Sequence, residues 1–80
     1  MRAQVMPRYF FHVIDGREFT DKIGTVLPSR EHVRAEAIKA AGEMLRDNGL
    51  SFWGGTEWRM HVTDEAGATV CALNFTAEHT

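Results

Sequence analysis

Residues 8 to 16 read RYFFHVIDG and residues 58 to 67 read WRMHVTDEAG. Each is a run of aromatic and β-branched side chains that ends in aspartate and, within three residues, glycine. In the second run Trp58, Met60 and Val62 alternate with Arg59, His61 and Thr63, the period of two that belongs to a strand with one buried face. Asp15-Gly16 and Asp64-Glu65-Ala66-Gly67 then read as hairpin turns, because aspartate bonds its own backbone and glycine takes the positive φ a tight turn needs. Two strands, each running into a turn, therefore frame the fold.

Working outward, a second strand falls within Glu18 to Leu27. It is interrupted by the turn signal Asp21-Lys22-Ile23-Gly24 before Thr25-Val26-Leu27. Pro28 and Ser29 punctuate, and Ser29 suits the N-cap of a helix. From Arg30 to about Asn48 the residues Val33, Ala37, Ala41, Met44 and Leu45, flanked by Ile38 and Ala40, recur at three and four and form one stripe. Glu31 and Arg46 suit the two ends of the helix dipole, and Lys39 and Glu43 are placed as an i,i+4 pair. Gly49 stops the helix, with Leu50 positioned for the contact that accompanies a glycine cap. After GLSFWGGTE comes the strand at Trp58, then a last strand from Thr69 to Phe75.

These elements spell an α+β, two-layer ββαββ domain, a four-stranded antiparallel sheet with one long helix packed on one face. If the helix returns the chain to the starting end of the second strand, the order second, first, third, fourth makes every neighbouring pair antiparallel. Tyr9, Phe11, Val13, Trp58, Met60, Val62, Cys71, Leu73 and Phe75 then face the helix. Phe10, His12, Ile14, Arg59, His61, Thr63, Val70 and Ala72 face away from it.

Composition narrows the class. At 80 residues the chain makes one domain, in the size range where oligomerisation often assists a marginal core. A hydrophobic content of 44% and a charged content of 25% fit an ordinary globular protein. The net charge of −2 arises from interleaved signs, which argues against a nucleic-acid or anionic-membrane partner held by bulk electrostatics. Cys71 is the single cysteine, so a reducing cytoplasm is the simplest home. No apolar run approaches the length of a membrane span, and the N-terminus lacks the apolar stretch of a signal peptide.

The opening MPRYFFHVIDG, the Gly24-x-x-Leu27-Pro28 before an Ala/Glu-rich helix, then WRMHVTDEAG and a final Leu73-x-Phe75, resemble a family of small bacterial proteins classed as a domain of unknown function. The resemblance implies the ββαββ fold and a free-standing bacterial cytoplasmic protein, with no established activity to transfer. It also implies that Met6 is the usual first residue. Residues 1–5 are then a loose extension, 6–76 the domain and 77–80 a short tail. Cys71 departs from the aliphatic side chain expected at its position and is read as structural.

Several chemistries are weighed against plainer structural roles. His12 and His61 could share a metal if their strands are neighbours, but Asp15 and Asp64 lie three residues further on, the wrong parity for the same face. The reading adopted is that both histidines are polar residues of the outer face and both aspartates are turn residues. Cys71 sits in a strand on the core side, where a thiol is a small hydrophobe. No nucleophile elbow, phosphate loop or zinc-protease signature occurs, so no enzymatic activity and no cofactor are expected. Phe10 and Phe11 are consecutive, so the pleat sends one to each face. Phe10 with Ile14, Val70 and Ala72 then forms an apolar patch on the open face, the kind that marks protein contacts. Phe52-Trp53, after the helix, is either a lid on the core or an exposed anchor.

The expectation is a non-enzymatic domain that self-associates as a homodimer or binds another protein through the open face, using Phe10, His12, Ile14, Arg59, His61 and Val70. The alternatives are single-stranded nucleic-acid binding on that face, aided by a cluster of Arg8, Arg17 and Arg59, or a metal or ligand site at His12 and His61.

Overall fold

The computed structural model describes residues 6–47 and 57–78. Phe52, Trp53 and the helix stop at Gly49 and Leu50 lie outside them, as do residues 1–5. The elements are β1 (Arg8–Asp15), β2 (Glu18–Phe19), β3 (Thr25–Val26), α1 (Arg30–Asp47), β4 (Trp58–Thr63) and β5 (Thr69–Phe75). The sheet runs β2-β1-β4-β5, with β3 also on β1, and every pairing is antiparallel. This is the expected α+β architecture and strand order. The interrupted second strand appears as two short ones that share the same edge of β1. β2 pairs at Val13 and Ile14, whereas β3 pairs at Arg8 and Tyr9.

Both glycine turns form where the local chemistry places them. Gly16 and Gly67 have φ of 76° and 85°. At the second turn the Asp64 carboxylate accepts from the N–H groups of Ala66 and Ala68, each at 2.9 Å. Gly24 is under a harder constraint. Its φ is +76°, and a Cβ there would lie 2.8 Å from the Tyr9 carbonyl oxygen and 2.9 Å from the Phe10 ring. A side chain at 24 would therefore meet β1 backbone, which cannot move aside without breaking the β3 pairing.

Ser29 caps α1 as its sequence position suggests. Its hydroxyl accepts from the His32 N–H at 3.3 Å and shares a 2.7 Å hydrogen bond with His32 Nδ1. The helix packs across β4 and β5, burying Val33, Ala37 and Ala41 at successive turns. Small side chains at two of those three turns let the helix backbone approach the sheet. The core they close contains Tyr9, Val13, Trp58, Met60 and Val62. Each fully buried aliphatic side chain such as Val33 or Val62 contributes on the order of 1.5–3 kcal/mol relative to exposure.

Four expectations are corrected at the margins of this core. Val70 packs against the core cluster instead of standing on the open face. The cause is a bulge: Val62 pairs with Cys71 but Thr63 pairs with Thr69, so Val70 is the extra residue and the face alternation resets there. Phe75 turns its ring edge-on to Trp58 at 5.9 Å yet stays 41% exposed, because it lies at the end of the strand pair. Met44, 37% exposed, only borders the core, lining a cleft with Val13 and Trp58. Lys39 and Glu43 form no ion pair, and the salt bridge found among the described residues is Arg46 with Asp47, at the surface.

A turn glycine and a helix glycine should respond to alanine with opposite signs. Gly24→Ala is expected to lower stability by about 2–3 kcal/mol through left-handed strain and the backbone clash. Gly42 sits in α1, where a Cβ would meet nothing within 4 Å, so Gly42→Ala should raise stability by about 0.5–1 kcal/mol. Urea unfolding followed by circular dichroism reads both.

Candidate interaction face

On the side of the sheet away from α1, the register sets three cross-strand pairs in a row. Phe10 lies opposite Thr63, His12 opposite His61, and Ile14 opposite Arg59. The two histidines are thus direct neighbours, with ring centroids 6.2 Å apart and planes inclined by 56°. Phe10 stacks on His12 at 6.4 Å and 10°, two residues along the same face. On the far side of β4, Ala72 lies opposite His61 and Asn74 opposite Arg59. Among the described residues no helix packs on this face.

The imidazoles are tied down by hydrogen bonds. The Asp21 N–H donates to His12 Nδ1 at 3.1 Å. An Nδ1 that accepts carries its lone pair there, which leaves Nε2 as the donor in this hydrogen-bond arrangement. That Nε2–H then donates to Thr63 Oγ1 at 3.0 Å. His61 Nε2 hydrogen-bonds Thr69 Oγ1 at 2.7 Å. Each Nε2 atom is engaged by a different threonine, so the rings do not converge on a common point. Asp64 is turned into its own hairpin, and Asp15 lines a cleft on the helix side. The structure brings the histidines together and leaves the aspartates elsewhere.

Asp21 is the residue that sequence reading undervalued. β2 and β3 leave a gap along the edge of β1, and the Asp21 carboxylate fills it. Oδ2 accepts from the Phe11 N–H at 3.0 Å, standing in for the missing strand carbonyl. Oδ1 accepts from Ile23 and Gly24 at 3.0 and 2.9 Å, closing the turn. Burial pushes this carboxyl's pKa up, but the three N–H groups stabilise the anion more, and the net effect holds it below 3.8. The available signal was an aspartate three residues before a glycine at a break in a strand.

The remaining candidates are dispersed. Arg8 donates to the Ile23 carbonyl at one end of β1, while Arg17, past the other end, sits 4.8 Å from the Phe19 ring centroid. Arg8 shares the parity of Phe10 at one end of β1, whereas Arg59 lies opposite Ile14 near the other end, so these two do not cluster. Ile14 is 37% exposed on the open face, and Phe10 is half-buried. Burial raises the Cys71 thiol's pKa, with the Arg34 charge acting in the opposite sense, in keeping with a packed side chain. A separate cleft of about 370 Å³ is lined by Val13, Asp15, Phe19, Met44 and Trp58. No helix among the described residues is long and apolar enough to cross a membrane.

The Asp21 arrangement predicts an acid-sensitive stability term. The carboxyl's native pKa lies below its unfolded value, so the native state binds fewer protons and the stabilisation is complete above about 3.8. It is lost as pH falls through the native value. Asp21→Ala should cost about 2 kcal/mol at neutral pH, and the gap to wild type should close on acidification below that range. A pH series of urea midpoints for the two proteins checks the sign; a gap that widened in acid would contradict it.

Comparison with curated proteins and with solved structures returned no match. Over residues 8–76, nearly all of the described fold, the chain matches the family described as a domain of unknown function (DUF6894), and it belongs to that family.

Proposed function

We propose that this protein is a non-enzymatic interaction domain whose contact surface is the open face of the sheet, centred on Phe10, His12 and Arg59. The observation that supports this reading is the state of the two histidines. Their Nε2 atoms are bonded to Thr63 and Thr69, which holds both rings in place on the face. Flanking them are Phe10 and Ile14, apolar side chains on a face that α1 does not cover, and Arg59, an exposed cation at its rim. Rigid rings, exposed aliphatic area and an arginine are the materials of a protein contact. The domain is read as cytoplasmic, consistent with its one unpaired cysteine.

A photo-crosslinking amino acid placed at position 59 tests this directly in cells expressing the protein. Position 39, on the outer side of α1, serves as the comparison. Discrete protein adducts are expected from position 59, to be abolished by Ile14→Asp, with none from position 39. Equal adduct formation from both positions, or adducts at 59 indifferent to Ile14→Asp, would count against the open face.

A further inference from the structure

The two edges of this sheet are built differently. On one side β2 and β3 are two residues long, and the gap between them is closed by Asp21. Short strands and side chains that occupy the edge are devices that prevent pairing with another sheet. On the other side β5, among the described residues, pairs with β4 alone and ends the sheet. It has none of those devices along most of its length. From Ala66 to Ala77 no residue carries a charge, the longest such run in the chain, and none is proline. The bulge at Val70 bends only the first part of the strand; from Cys71 to Phe75 the register with β4 is regular.

We infer that β5 pairs antiparallel with β5 of a second copy, joining two sheets into one across a two-fold axis. The regular segment has Leu73 at its middle. An axis there sets Cys71 opposite Phe75 of the second copy and Ala72 opposite Asn74. A second copy is the occupant that the charge pattern favours. Neutral side chains meet neutral side chains at every position, whereas a charged peptide would find no counter-charge on this strand. The pairing is isologous, so it closes at two and leaves no propagating edge.

The helix supplies an independent observation. α1 packs against β5, and the Arg34 charge acts on Cys71 there. Ile38 lies one turn further along on the same side and is 61% exposed. Phe75, in β5 itself, is 41% exposed, so the strand and the helix that packs on it both offer apolar side chains that a second copy would cover. This surface is distinct from the β1 and β4 residues of the open face, and either can stand without the other.

Sedimentation equilibrium over about 10–500 µM, the range suited to a small interface, tests the inference. The wild type should move from 9.0 kDa toward twice that mass. Two double variants, Ala72→Lys with Asn74→Lys and Ala72→Glu with Asn74→Glu, change exposed side chains and should keep wild-type circular dichroism. Each should remain monomeric, because like charges then face each other across the seam. Their equimolar mixture should restore the dimer. A wild type that stays monomeric throughout overturns the inference, as does a dimer that survives both charged variants. Arg59→Glu should leave the dimer intact; its loss in that variant alone would assign self-association to the open face instead.

Discussion

A pleated strand sends neighbouring side chains to opposite faces, and β1 is where this constraint governs the rest of the molecule. It pairs with β2, β3 and β4, so its alternation is imposed on the whole sheet. Tyr9, Phe11 and Val13 go to the core, while Phe10, His12 and Ile14 go out. Among the described residues one helix, with a stripe of small residues, covers one face only. The other face must be stabilised within its own plane, and the Phe10, His12 and His61 rings with their threonine partners do this by stacking and hydrogen bonding.

The same strand sets a second demand. Its edge opposite β4 is met by two very short strands, and the intervening backbone would carry unpaired N–H groups at a half-buried position. Asp21 resolves this by lending a carboxylate to the Phe11 N–H and its own N–H to His12. A single residue thereby couples the turn before β3, the edge of β1 and the tautomer of the central histidine. Gly24 belongs to the same device, since the turn can press against β1 only where no Cβ intervenes. The open face and the closed edge are consequently joined through the bond from the Asp21 N–H to the His12 imidazole.

Adjacent histidines in a fold without an evident pocket between them invite a catalytic or metal-binding reading. Here each ring is bonded through Nε2 to its own threonine. Nε2 bonds to separate hydroxyls direct the rings along the sheet, and the aspartates that follow each histidine in sequence are on the other face or in the turn. The His-Val-x-Asp phrase that occurs twice is thus composed of two separate pieces: a cross-strand imidazole pair, and aspartates of which Asp64 is bonded into its hairpin while Asp15 lines a cleft.

Much of this was legible in the residues. Alternation at Trp58, Met60 and Val62, glycine at the turns, Ser29 before the helix and the three-and-four stripe of α1 are local signals. Their physics operates within a few residues, so one chain read alone suffices to place the elements and the faces of β1 and β4. What the tertiary structure decided depends on atoms far apart in sequence. The register made His12 and His61 direct partners, the bulge at Val70 turned that side chain to the core, and a gap between two strands gave Asp21 its role. Each follows from a displacement of one residue or a few ångströms across a pairing, and the distances that select it exist only once the sheet is assembled.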